Sequence, residues 1–144
     1  PPQSIFKPKG KNPVPAKFWG QYTDKMKIGF CWAGSPGHAD DLHRSVCNAH
    51  FSVLNNEDHQ LFSLQKRDPR QAALVAPTFT DFVDMEPYIK TLNDVAHIIV
   101  QLDVVVTVDT SIAHLAASCG IQTFVLIPAH PDYRWGVKGN TTPW

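Results

Sequence analysis

Asp109, Thr110, Ser111 and His114 are the residues of this chain whose types and spacing best suit chemistry. They follow Val104-Val-Val-Thr-Val108 and open a segment that stops at Gly120. A run with no polar alternation fits a strand covered on both faces of a parallel sheet. Asp109, Thr110 and Ser111 supply N-cap chemistry and Gly120 a C-terminal stop, so the segment between them is predicted to be a helix. Ile112, Leu115, Ala116 and Cys119 fall at helical spacing and form its buried stripe. His114 lies on roughly the opposite side, on the face of Thr110. A helix N-terminus at the carboxyl end of a central strand offers unpaired N–H groups and the positive end of a dipole, which suits a phosphate. The same residues also serve as a plain helix cap, since short motifs of this kind recur without ligands.

A second constellation lies in the polar loop Gly34-Ser-Pro-Gly-His-Ala-Asp-Asp-Leu-His-Arg-Ser45. Gly34 and Gly37 allow close backbone approach, and the Arg44 guanidinium can grip a phosphate with two parallel hydrogen bonds. The loop is long for a solvated connection and directly follows an apolar run. Lys66 stands just past a second apolar run, where it suits a phosphate or is simply solvated. His38, Asp40, Asp41 and His43 are metal-competent side chains, but their irregular spacing matches no standard site, so no metal is expected. His50, His59 and His97 are expected at the surface. No nucleophile elbow, Walker lysine or dinucleotide Gly-x-Gly-x-x-Gly fingerprint is present.

The elements that must position these residues can be read in order. Residues 1 to about 17, rich in Pro and Lys, read as an extended arm or linker. Phe18, Trp19 and Tyr22 could dock a short helix on the domain. Strands are predicted over Lys27–Ala33, Gln60–Gln65, Asp81–Met85, Val104–Val108 and Thr123–Ile127, with a short helix near 46–54. Thr91–Leu102 is predicted helical, with Leu92, Val95, Ala96, Ile99 and Leu102 on its inner face. Strand and helix alternate, which argues an α/β Rossmann-like, doubly wound parallel sheet. If the strand order is 3-2-1-4-5, the first and fourth are neighbours, and ligands bind where the chain reverses direction between them. Both polar loops open there.

The totals set the bounds. A chain of 144 residues fits one domain after the arm: residues 1–26 as arm or linker and 27–144 as the domain. Thirteen basic and thirteen acidic residues balance, so no global field draws the chain to nucleic acid or to a membrane surface. No apolar run approaches a transmembrane length. Cys31, Cys47 and Cys119 lack paired spacing and read as reduced thiols of a cytoplasmic protein. Pro1 reads as a boundary within a longer chain.

Taken in order, several motifs form a familiar set. These are Lys27-Ile-Gly-Phe-Cys-Trp-Ala-Gly-Ser-Pro36 with Arg44-Ser45, Ser63-Leu-Gln-Lys66, Asp109-Thr110 with His114-Leu-Ala, and Pro131-Asp-Tyr-Arg-Trp135 with Pro143-Trp144. From about Lys27 onward the chain resembles the C-terminal half of heptosyltransferase-like family 9 glycosyltransferases, especially those fused behind tetratricopeptide repeats. The resemblance implies one half of a GT-B architecture, the half that binds a nucleotide-sugar donor. Carried over by position, Thr110, Ser111 and His114 would meet the donor diphosphate, with Asp109 shaping the turn. Gly34, Arg44, Ser45 and Lys66 would contribute from neighbouring loops. At Leu42 the chain departs from the basic residue of related loops. No metal or cofactor is implied, because helix dipole and cationic side chains would stabilise the departing diphosphate. The resemblance also implies a partner Rossmann half, or a repeat domain, that brings the acceptor site and general base. This half alone is not expected to catalyse transfer. The other readings are a non-catalytic nucleotide or glycan binding module, and an interaction domain that self-associates through its crevice face.

Overall fold

The computed structural model describes residues 3–135. Its centre is a five-stranded, all-parallel sheet of strand order β3-β2-β1-β4-β5. The strands are β1 (Met26–Cys31), β2 (His59–Ser63), β3 (Val83–Asp84), β4 (Val104–Val108) and β5 (Gln122–Leu126). This is the doubly wound order, and β1 and β4 are neighbours in register from Ile28↔Val104 to Cys31↔Thr107. The α-helices are α1 (Ala16–Trp19), α2 (Asp41–Arg44), α3 (Leu92–Ile99) and α4 (Ser111–Ser118). The crossovers after β1 and β2 are built mainly of 3₁₀ turns, Asn48–Leu54 and Pro69–Leu74, rather than of long helices.

Two cores sandwich the sheet. On one face Val95, Ala96, Ile99, Ile112, Ala116 and Cys119 of the α3 and α4 segments meet Phe62, Leu64 and Val105. On the other, Phe30 and Trp32 pack among Phe51, Leu61 and Phe79. Gly29 makes the first packing possible, because a Cβ there would lie 2.5 Å from Leu102 Cδ1 and 3.1 Å from Leu64 Cδ1. β5 is an edge strand, and Phe124 and Leu126 remain about half exposed.

The N-terminal segment runs back along the domain. Ile5 and Phe6 donate their backbone N–H groups to the Ser118 carbonyl, and Lys9 N donates to Asn93 Oδ1. The Lys9 carbonyl lies 3.1 Å from His97 Nε2, and His97 is 8% exposed. The expected surface position of His97 is thus corrected: its helix face is polar, but the arm covers it. Leu92, expected inside, is 58% exposed because it opens α3 at the rim of the sheet. Phe18, Trp19 and Tyr22 dock as expected, meeting Phe62 at ring-centroid distances of 6.4, 5.3 and 5.2 Å.

Candidate functional site

At the carboxyl ends of β1, β2 and β4 the loops leave a cleft of about 600 Å³. Gly34 and Arg44 come from the loop after β1, Lys66 from the loop after β2, and Thr110, Ser111 and Ile112 from the start of α4. Ile89, Lys90, Thr91 and Leu92, where the chain enters α3, form the facing wall. The walls carry five cationic side chains, Arg44, Lys66, Arg67, Arg70 and Lys90, against one carboxylate, Asp68. Arg67 pairs with Asp84 and Glu86, and Arg70 with Asp68. Among the described residues Lys66 and Lys90 enter no ion pair. Uncommitted ammonium groups beside a helix N-terminus give this cleft a positive local potential.

The turn at α4 is organised by its own sequence. Thr110 is the N-cap in extended conformation, and its Oγ1 accepts from Ile112 N at 3.2 Å. The Thr110 carbonyl accepts from Ala113 N. Capping therefore takes the Ile112 amide, and what the turn turns toward the cleft is Ser111, exposed, with a hydroxyl and an amide engaged in neither bond. Thr107 Oγ1 lies 3.3 Å from Thr110 Oγ1 and ties the cap to the end of β4.

Arg44 is held from three sides. Its Nη1 donates to the Asp109 carbonyl at 3.0 Å, and its Nε to Asp41 Oδ1 at 3.4 Å. The guanidinium lies across Gly34, where a Cβ would stand 2.6 Å from Cζ and 2.7 Å from Nε. Asp41 is buried, and also accepts from Ser45 Oγ at 3.0 Å and from Gln71 Nε2 at 2.6 Å. Gln71 Nε2 also donates to the Gly34 carbonyl, and Gly34 N donates to Ser45 Oγ. Ser45 thus fastens the loop from behind and does not line the cleft. Arg44 is largely committed to joining the loops after β1 and β4, with one edge left at the cleft.

Gln65 does comparable work between β1 and β2. It is buried, and its Oε1 accepts from Trp32 N at 3.2 Å, Ala33 N at 3.0 Å and Cys31 Sγ at 3.1 Å. The Cys31 thiol lines the cleft but is pushed up to about 11 from 9.0, chiefly by burial, so it stays a protonated, unreactive group at neutral pH.

The remaining expected residues sit elsewhere. Asp109 is buried and borders a second cleft of about 460 Å³ between the loops after β1 and β5, with Arg44 in the partition between the two clefts. His114 lines neither cleft; its ring stacks on Trp135 with centroids 5.3 Å apart and planes 15° apart. His38 and His43 line the second cleft, and among the described residues no three His, Cys, Asp or Glu side chains converge as metal ligands. Leu42 is 90% exposed. Pro143 and Trp144 lie outside the described residues. Sequence reasoning passed over Gln65, Arg67, Arg70, Gln71 and Lys90. The first four share the connection after β2 and Lys90 lies between β3 and α3, and their common signal is that each follows a strand.

No family model and no curated protein matches this sequence. Among solved structures the chain is similar to Escherichia coli ADP-heptose LPS heptosyltransferase II, with 16% identity and a TM-score of 0.49 over 86% of this chain. The match covers 40% of that protein's length.

Proposed function

We propose that this domain binds the diphosphate of a nucleotide-sugar donor and serves as the donor-binding half of a glycosyltransferase of the GT-B architecture. The observation that carries the reading is the convergence, at the point where the doubly wound sheet reverses, of an α4 N-terminal turn with the uncommitted cations Lys66 and Lys90. Ligands of open α/β sheets bind at that point, outside the carboxyl ends of the strands. Ser111 would donate to a phosphate oxygen from its amide and hydroxyl. Lys66 and Lys90 would offset the charge that develops on a departing diphosphate, and the open edge of Arg44 would add to it. The motif order described above supports the glycosyl-transfer reading; acceptor and general base would belong to a partner domain.

The test is a titration of ADP, GDP and UDP against the wild-type chain and Ser111→Glu. A carboxylate at Ser111 faces the same dipole end but repels phosphate, so nucleotide binding should fall by more than about tenfold, a penalty of roughly 1.4 kcal/mol or more. The buried stripe of α4 is untouched, so circular dichroism should be unchanged. Equal affinities of both folded proteins for every nucleotide would mean that the turn is a helix cap alone.

A further inference from the structure

The 3₁₀ turn Tyr133–Trp135 lies outside the basic cleft yet grips the helix that borders it. Arg134 Nη2 stands 3.9 Å from Asp109 Oδ2, and the Asp109 side chain is only 9% exposed. A carboxylate so withdrawn from water needs a compensating charge. Arg134 is its ion-pair partner among the described residues. Arg134 is itself set by Asp132, whose Oδ1 accepts from Arg134 N at 3.1 Å and lies 3.2 Å from Nε in an ion contact without hydrogen-bond alignment. One turn further along α4, Trp135 lies flat on His114. Residues 109 and 114 bracket the segment 110–113, whose amides form the N-terminal turn. Arg44 holds the same turn from its other side through the Asp109 carbonyl.

We infer that Arg134 and Trp135 are positioning residues, which fix the orientation of the α4 N-terminal turn so that Ser111 meets an anion in the cleft. This rests on the reading of the cleft as a diphosphate site. Neither residue lines that cleft, so neither acts by contact. The coupling is local: two grips on one short turn, an ion contact before the cap and a ring stack behind it. A small rotation of that turn would move the Ser111 amide and hydroxyl off a bound phosphate oxygen, and oriented contacts lose strength steeply with such displacement.

The test uses the full 144-residue chain with Trp135→Ala, Trp135→Phe and Arg134→Gln. Amide hydrogen exchange at Ile112 and Ala113, the hydrogen-bonded amides of the turn, is followed without ligand, and ADP, GDP and UDP are titrated. In Trp135→Ala and Arg134→Gln, exchange at these amides should accelerate, and the best-bound nucleotide should weaken by about tenfold. The melting temperature should hold in Trp135→Ala and fall by no more than a few degrees in Arg134→Gln, which leaves the Asp109 carboxylate uncompensated, and Trp135→Phe, which keeps a ring on His114, should restore wild-type behaviour. Unchanged exchange in both Trp135→Ala and Arg134→Gln overturns the proposal, whatever the nucleotides do. Accelerated exchange with undiminished nucleotide affinity overturns it equally. If the wild type binds no nucleotide, the diphosphate reading fails by itself, and the exchange arm still decides whether the turn is held as described. Should Trp135→Ala not fold, Arg134→Gln carries both measurements.

Discussion

At the scale of single residues, Gly34 shows how a backbone position is set by a side chain distant in sequence. The Arg44 guanidinium occupies the space a Cβ would need, and it is tethered to the Asp41 carboxylate and the Asp109 carbonyl. It therefore cannot step aside without breaking contacts at both ends. Gly34→Ala should destabilise the domain by about 1–3 kcal/mol, as overpacking of an ordered site does. The loop after β1 should loosen from α4, and nucleoside diphosphate affinity should drop with it. Thermal melts and the nucleotide titration check this; a variant with unchanged melting temperature and affinity would show that Arg44 yields freely. The need for glycine was readable from Gly34 following an apolar run, but not its cause. Gln65 was legible only as the end of the second predicted strand and a member of the Ser63-Leu-Gln-Lys66 motif, not in its role. A glutamine after a strand looks like a solvated residue, and only the folded sheet shows one carbonyl oxygen accepting from the N–H groups of Trp32 and Ala33 and the Cys31 thiol. Left without it, these buried donors would each cost about 1–3 kcal/mol.

Elements carry the next level. α3 opens with a reciprocal capping box in which Thr91 Oγ1 accepts from Asp94 N, while the Asp94 carboxylate accepts from Thr91 N at 2.8 Å and from the Thr91 hydroxyl at 3.0 Å. These bonds hold the Asp94 carboxyl below its usual 3.8. Because the folded-state value is lowered, the stabilisation is present above 3.8 and is lost as pH falls through the folded value. Acidification below about pH 4 should therefore fray the first turn of α3, seen as faster amide exchange at Asp94 and Val95. Thr91→Ala should cost about 1 kcal/mol at neutral pH and remove part of that acid sensitivity, since it deletes the hydroxyl bond to Asp94 but keeps the stronger bond from the backbone N–H of residue 91. An acid response equal to wild type would show that the box does not set the local stability. The Thr110 cap, the start of α3 and the apolar strand runs were legible because they depend on near neighbours. β4 and α4 fall where their unbroken apolar run and N-cap residues put them, and β1 pairs with β4 as in the doubly wound order that the alternating pattern suggested without fixing. His97 was misplaced because the contact that buries it joins residues 88 apart in sequence. The short helix expected near 46–54 is present as the 3₁₀ segment Asn48–Leu54, whereas the 3₁₀ turn Pro69–Leu74 after β2 escaped local reading because such turns have no amphipathic period to detect.

For the molecule as a whole, the balance of thirteen basic and thirteen acidic residues conceals an uneven distribution. Five cations and one carboxylate face the cleft, and although Arg44, Arg67 and Arg70 are paired with carboxylates behind or beside it, Lys66 and Lys90 leave a positive excess there. A neutral total gives no long-range attraction to polyanions, while a concave basic wall still concentrates field lines on a small anion. Two consequences separate this arrangement from a merely solvated basic rim. Lys66 and Lys90 lack ion-pair partners among the described residues, so their charge is available to a ligand rather than spent on neighbouring carboxylates. They also sit on different connections, after β2 and before α3, so replacing one leaves the other ammonium in place at the cleft. Lys66→Gln and Lys90→Gln should each weaken nucleoside diphosphate binding by roughly three- to tenfold at low salt, with little change in melting temperature. Raising ionic strength from about 0.05 to 0.5 M shortens the screening length to a few ångströms, so wild-type affinity should fall and the double variant should respond less steeply. The decisive measurement is that slope, obtained from titrations at several salt concentrations. A wild-type affinity insensitive to salt, or a double variant with the same slope as wild type, would mean that the cleft holds its ligand by shape and not by charge.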